Sequence, residues 1–281
     1  MNLKKKIFLG TAQILSNYGA TNSKFLKNKK YYLKLLEYAA KKGVINYDTA
    51  SGYNSENIIG EFIKTHGLRN SKICTKFHGL SDNYKIETYK FIDSSLRKIN
   101  NPLHCIFFHS IKDIKYFIRD PKFFLNLKKN FPIKHIGFSI YNKKDIKNIK
   151  FKDQISLQIP INILNHEFDS FLLKNNFKNI YGRSLFLQGL LVNKKINKKL
   201  KKSLTTKLDR YFNILENQSI DPLNININYV SKKKLDFFIF GIEEKKQLDD
   251  ILKIKKNNYS QSLINKISQI FNKKDIDPRN W

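Results

Sequence analysis

The chain has 281 residues, of which 41% are hydrophobic, enough to bury a sizeable core, so disorder and a short disulfide scaffold are poor readings. Its two cysteines, Cys74 and Cys105, stand outside any C-x-x-C or Cys/His spacing, which leaves zinc sites and disulfide frameworks without support and points to a reducing, cytoplasmic setting. The net charge of +30 invites a nucleic-acid reading, yet only six of the 53 basic residues are Arg and the Lys are scattered in ones to threes, the pattern of solvated faces.

Lys4-Lys5-Lys6 ahead of Ile7-Phe8-Leu9 looks like the start of a signal peptide, but Gly10, Thr11, Gln13 and Ser16 break the apolar stretch. No run approaches the roughly 18 apolar residues of a membrane span, so no membrane partner is expected. Residues 7–9 read instead as the first of eight short β-type runs, the others being 44–47, 72–75, 105–108, 135–138, 155–158, 179–181 and 237–240. Helical patterns lie between them: Tyr32-Leu33-x-x-Leu36-x-x-Ala39 precedes the second run and Ile58-Ile59-x-x-Phe62-Ile63 the third. Strand alternating with helix implies parallel strands joined by crossovers, and eight such units predict one closed (β/α)8 TIM barrel domain over 1–281. An open doubly wound sheet is the alternative, but Gly10-Thr11-Ala12-Gln13 lacks the G-x-G-x-x-G such a fold wants after its first strand. The long interval between the last two runs predicts a helix capped by Ser203 and reaching about Glu216. A second helix opens at Asp221-Pro222 and ends before Lys232, and residues 190–195 form a loop on the C-terminal face.

In a barrel, the residues at the C-terminal strand ends converge on one mouth. Those positions are Asp48, Lys76, His109, Ser139, Gln158 with Asn162, Arg183 and Gly241, with Tyr53 five residues past Asp48. Singly, each has a bland reading: a solvated Lys, a structural His, an Asp-Thr helix cap, a turn at Gly137. Polar groups after nearly every apolar strand argue for a site.

Residues 43–56, Gly-Val-Ile-Asn-Tyr-Asp-Thr-Ala-Ser-Gly-Tyr-Asn-Ser-Glu, resemble the aldo-keto reductase signature G-x-x-x-x-D-T-A-x-x-Y-G-x-E, with Gly60 further on. Ile73-Cys74-Thr75-Lys76 is similar to the strand carrying that family's catalytic Lys, and Ile106-Phe107-Phe108-His109 to its L-x-x-H element. His135-Ile136-Gly137-Phe138-Ser139, Leu157-Gln158-Ile159-Pro160-Ile161-Asn162 and Phe240-Gly241-Ile242 with Gln247-Leu248 extend the likeness from about Ile7 to about Leu252. Residues 184–191 and the closing Asp277-Pro278-Arg279-Asn280-Trp281 look similar to bacterial reductases associated with surface-sugar biosynthesis.

The resemblance implies a carbonyl reductase acting on an aldehyde or ketone, a sugar or sugar-like molecule among the candidates, with a catalytic tetrad of Asp48, Tyr53, Lys76 and His109. Tyr53 would donate the proton, an ammonium at Lys76 paired with Asp48 would make the phenol more acidic, and His109 would orient the carbonyl. It also implies a nicotinamide cofactor across the mouth. Ser139 and Gln158 would hold its carboxamide, Arg183 would stack beside its ring and bias binding toward the reduced form, and Ser184, Leu185, Gln188 and Gly189 would cover the pyrophosphate. Gly241, Glu243, Lys245, Lys246 and Gln247 would meet the adenosine end. The family implies NADP(H), with Lys245 or Lys246 on the 2′-phosphate; Glu243 or Glu244 on a ribose hydroxyl would make NAD(H) the alternative. Trp281 is read as a plug packed on the barrel rather than a lid. A regulatory or scaffold protein that keeps the cofactor site is the second function reading, and a nucleic-acid binder the third.

Overall fold

The computed structural model describes residues 3–16, 18–21, 27–77, 79–196 and 200–281. Its strands are β1 Ile7–Gly10, β2 Tyr47–Asp48, β3 Ile73–Phe77, β4 Leu103–Phe108, β5 Ile133–Ser139, β6 Ile155–Pro160, β7 Ile180–Arg183 and β8 Phe237–Phe240. All pair in parallel in sequence order, and β8 returns to β1, closing the barrel. The helices are α1 Lys29–Lys41, α2 Glu56–Thr65, α3 Tyr84–Ile99, α4 Ile111–Arg119, α5 Pro121–Asn130, α6 Asp169–Lys174, α7 Lys202–Glu216, α8 Pro222–Ser231, α9 Lys245–Leu252 and α10 Gln261–Ser268. The predicted (β/α)8 TIM barrel is the observed fold.

Strand alternation sorts each strand into two faces. Inward positions of five strands supply an interior cluster of Phe8, Cys74, Cys105, Phe107, Tyr181 and Ile239. Outward positions pack on the helices in a larger second core. Two residues further along the same inward faces come Lys76 above Cys74, His109 above Phe107 and Arg183 above Tyr181. The polar mouth is thus the top layer of the apolar interior. Gly137 is needed for that packing rather than for a turn: a Cβ there would lie 2.3 Å from the Ser156 carbonyl oxygen and 2.7 Å from the Phe107 ring.

The second strand is shorter than predicted. Residues 43–44 are consumed in closing α1, whose end is held by Gly43 N–H to the Ala40 carbonyl and Val44 N–H to the Ala39 carbonyl. Gly43 takes φ +83°, a conformation glycine adopts without strain. Asn46 then bridges the neighbouring strands with its side chain, donating to the Ile7 carbonyl at 3.2 Å and accepting from Lys72 N–H at 3.2 Å. Helix α8 starts as predicted, with the Asp221 carboxylate accepting from Asn224 N–H at 2.6 Å. Helix α7 begins at Lys202, one residue before the predicted Ser203 cap.

At the barrel floor, His104 lies among the rings of Phe8, Phe237 and His135, with centroids 5.9, 5.7 and 5.1 Å away. Burial, then the neighbouring His135 and Lys72, pushes His104 down to about 3. Burial and Lys134 push His135 down to about 4. Both are neutral in the fold and take up protons near 6.5 in the unfolded chain, so their stabilisation is complete above that pH and lost as pH falls from there to about 4 for His135 and about 3 for His104. We expect the unfolding free energy from urea titration to drop between pH 7 and pH 5, by up to about 1.4 kcal/mol per pH unit for His104 and less for the more exposed His135. His104→Phe should flatten that slope; an unchanged slope would remove His104 as its source.

Candidate active site

The end of β2 and the turn after it carry the first half of the site. Backbone bonds continue the β2–β3 ladder past the strand, Thr49 N–H to the Cys74 carbonyl and Ser51 N–H to the Lys76 carbonyl, so the turn bearing Tyr53 is fixed beside β3. Three buried hydroxyls brace it: Thr11 Oγ1 donates to the Asp48 carbonyl at 3.1 Å, and Ser55 Oγ lies 2.8 Å from both Thr11 Oγ1 and Thr49 Oγ1. Glu56, the last residue of the sequence signature, faces away from the mouth. Its carboxylate accepts from Thr75 at 2.7 Å and Ser95 at 2.8 Å, tying α2 to β3 and α3.

Asp48 and Lys76 are 5% and 3% exposed and form a buried ion pair at 2.5 Å. Lys76 Nζ also donates to the Thr49 carbonyl at 2.8 Å and sits 5.5 Å from the Tyr53 ring centroid. Tyr53, Lys76, Asp48 and His109 line one cleft of about 960 Å³ that runs over the C-terminal mouth. The four residues of the sequence-derived tetrad are therefore brought together.

The electrostatics of Tyr53 differ from the expectation. Tyr53 as a residue is part-exposed, but its hydroxyl end lies deep, and burial pushes the phenol well above its ordinary range, with the Asp48 charge adding to the rise. Arg183, rather than Lys76, supplies the opposing positive charge, because Lys76 is already neutralised by Asp48. The phenol is therefore held protonated at neutral pH.

Of the residues expected at a cofactor, Gln158, Arg183, Ser184, Leu185, Gln188, Gly189, Gly241, Glu243, Lys246 and Gln247 line the cleft. Ser139 and Lys245 do not. Ser139 lies behind Gln158 and donates to its carbonyl oxygen at 3.1 Å, and the Lys245 ammonium rests 5.2 Å from the Tyr38 ring on α1. Gln247 is committed to its own helix, accepting from Glu243 N–H at 2.7 Å. Lys246 pairs with Asp250 at 2.5 Å. The loop after β7 is strained: Ser184, Leu187 and Gln188 take φ of 57°, 48° and 56°, the left-handed backbone that collects where chains clasp ligands.

Arg183 donates to the Ile140 carbonyl at 3.0 Å and to Ser184 Oγ at 3.2 Å, and its guanidinium lies 4.3 Å from the Tyr141 ring centroid. Arg279, near the chain end, lies 3.9 Å from the same ring, and its carboxylate partner is Asp277. Trp281 packs with Ala20, Leu190, Leu204 and Leu208, the position expected of a plug. Among the cleft residues that escaped the sequence reading are Tyr18 after β1 and Tyr141 after β5. Although the Tyr18 residue is 47% exposed, burial of its hydroxyl end, then Tyr53, pushes the phenol up to about 12. Tyr141 was legible as the second residue past a mouth position; Tyr18, in an irregular loop, carried no periodic signal.

A closed parallel barrel whose only interior ion pair, among the described residues, sits at the C-terminal mouth is built as an enzyme of the (β/α)8 class. Residues 6–272 match the model of the Aldo/keto reductase family, and the chain belongs to that family. It is thereby an NAD(P)H-dependent oxidoreductase acting on small carbonyl compounds. Among solved structures it is similar to the glycerol dehydrogenase AKR11B4 from Gluconobacter oxydans, with TM-score 0.70 and 15% identity over 94% of this chain and 90% of that one. It is also similar to Gox0644 in its apo form, with TM-score 0.65 and 18% identity over 96% and 90% of the two chains. No curated protein sequence matches it. Among the described residues no helix is long and apolar enough to cross a membrane, and no cluster of side chains is suited to a metal ion.

Proposed function

We propose that the protein reduces an aldehyde or ketone to an alcohol, with Tyr53 as the proton donor. The observation that carries this reading is the buried Asp48–Lys76 pair at 2.5 Å beside a phenol that burial keeps protonated. When bound, a reduced nicotinamide would supply the hydride that the carbonyl carbon takes up. Tyr53 transfers its hydroxyl proton to the carbonyl oxygen, and the tyrosinate left behind is met by the positive charge of Arg183 before solvent reprotonates it. His109, on the same cleft wall, hydrogen-bonds the carbonyl oxygen and orients it.

The cleft fits a dinucleotide in size, about 960 Å³, near the top of the range of ligand pockets. Gln158 and Arg183 are assigned to the nicotinamide end, the 184–189 loop to the pyrophosphate, and Glu243, Lys246 and Gln247 to the adenosine end. NADP(H) is the proposed cofactor: Lys246, Lys253 and Lys255 all line the outer end, and the Lys246 ammonium is exposed enough to exchange Asp250 for a phosphate. The phenols of Tyr18 and Tyr141 with Arg183 make a rim of hydrogen-bond donors, which suits a polyhydroxylated, sugar-like carbonyl. The free, buried thiols of Cys74 and Cys105 support a reducing, cytoplasmic setting.

Fluorescence titration with NADPH and NADH at about 0.15 M salt, where screening suppresses nonspecific attraction to the basic surface, tests the reading. Saturable binding is expected, tighter for NADPH, and Lys246→Ala should weaken NADPH several-fold while leaving NADH unchanged. Equal effects on both cofactors would remove Lys246 from a 2′-phosphate role, and binding of neither would sink the cofactor site.

A further inference from the structure

Gln158 does something in this structure that a cofactor contact alone does not require. Its side chain is fully buried, and its Nε2 donates to Asp48 Oδ1 at 2.8 Å while its Oε1 accepts from Ser139 Oγ at 3.1 Å. An ionised carboxylate only accepts, so the atom facing Asp48 must be the amide nitrogen, and chemistry fixes the orientation of the amide. In the closed order β1 to β8, β6 stands opposite β2. The bond therefore crosses the barrel interior and divides Asp48 between two walls, Oδ2 on Lys76 and Oδ1 on Gln158.

Titratable and charged groups from six of the eight strands line the cleft with Tyr53: Asp48 and Lys76 from β2 and β3, His109 and Tyr141 after β4 and β5, Arg183 from β7, and Tyr18 after β1. Below them lie Cys74 and Cys105, whose thiols burial keeps neutral. Asp48 is thus the anion that opposes ionisation of the phenol. A donor on Oδ1 withdraws part of its charge and stops the carboxylate from turning off Lys76.

We propose that Gln158 is a positioning residue for the catalytic acid: by donating across the barrel it holds Asp48 on Lys76 and so sets the proton-donating strength of Tyr53. This rests on the reductase reading with Tyr53 as donor. Two variants separate it from a role in cofactor binding alone. Gln158→Met keeps length and removes the donor. Gln158→Glu keeps shape and places a second carboxylate against Asp48, so the two share a proton and one titrates at raised pH; when protonated, Glu donates as the amide did.

The experiment is steady-state reduction of glyceraldehyde and benzaldehyde at saturating NADPH across pH, with the NADPH dissociation constant measured by fluorescence at each pH. We expect Gln158→Met to lower kcat at least about tenfold at every pH while the dissociation constant moves less than about threefold. Gln158→Glu should be slow at neutral pH and recover toward the wild-type kcat as pH falls. Wild-type kcat in Gln158→Met at saturating cofactor would overturn the proposal and leave a binding role. Should that variant not fold, Gln158→Glu decides: a kcat with the wild-type pH dependence overturns it equally. A wild-type enzyme that binds NADPH and reduces neither carbonyl would overturn the reductase reading itself, an outcome distinct from both.

Discussion

Tyr53→Phe should bind NADPH within about twofold of the wild type and lose about 10²- to 10⁴-fold in kcat for carbonyl reduction, the usual worth of a positioned general acid. The substitution removes one oxygen. The ring keeps its place 5.5 Å from Lys76 Nζ, and the brace of Thr11, Thr49 and Ser55 that fixes the turn is untouched, so neither fold nor cleft should change. What goes is the proton: with burial holding the phenol above its ordinary range, the donor is fully loaded at neutral pH, and Phe has nothing to give. Rapid-mixing measurement of cofactor oxidation on excess enzyme would isolate the chemical step. A variant turning over at the wild-type rate would remove Tyr53 as donor and direct attention to Tyr18, the neighbouring phenol in the cleft.

Lys76→Met is expected to cost both activity and about 3–5 kcal/mol of stability. It leaves Asp48, 5% exposed, as a charge without its cation, supported by the Gln158 amide alone among its side-chain partners. The companion Asp48→Asn in the same chain removes that stranded charge, so the double variant should regain most of the lost stability while remaining inactive. Urea unfolding of the four members of this cycle gives the coupling directly. A Lys76→Met protein as stable as the wild type would mean that water or a rearranged donor reaches Asp48, and the ion pair would not be what stabilises this buried carboxylate.

The strand and helix order was legible because short β-type runs and helical periodicity are local properties, and local pattern plus crossover rules leave few topologies. That Asp48, Lys76 and His109 meet at one mouth was legible from their places at strand ends; their grouping with Tyr53 as a tetrad came instead from the resemblance of residues 43–56, 73–76 and 106–109 to aldo-keto reductase segments. What escaped were facts of three-dimensional contact. Asn46 does with its side chain what a strand residue does with its backbone, which no propensity encodes. Lys245 and Lys246 are equivalent in sequence, yet helical rotation sends one to Tyr38 and leaves the other at the cleft. A more acidic Tyr53 was expected from the Lys76 ammonium paired with Asp48, whereas burial and the Asp48 charge raise the phenol instead.

Closure of the barrel has a consequence for biosynthesis. The seam joins β1 to β8 through Ile7 with Phe238, Phe8 with Ile239 and Leu9 with Phe240, so the first strand to leave the ribosome waits for nearly the last. Until then its far edge is an apolar row of unsatisfied amides and carbonyls, open to pairing with another nascent chain. Contacts of such long sequence separation make the final step slow. The abundant lysines, by keeping incomplete chains mutually repelling, offer the protection that an unfinished barrel cannot provide through its own hydrogen bonds.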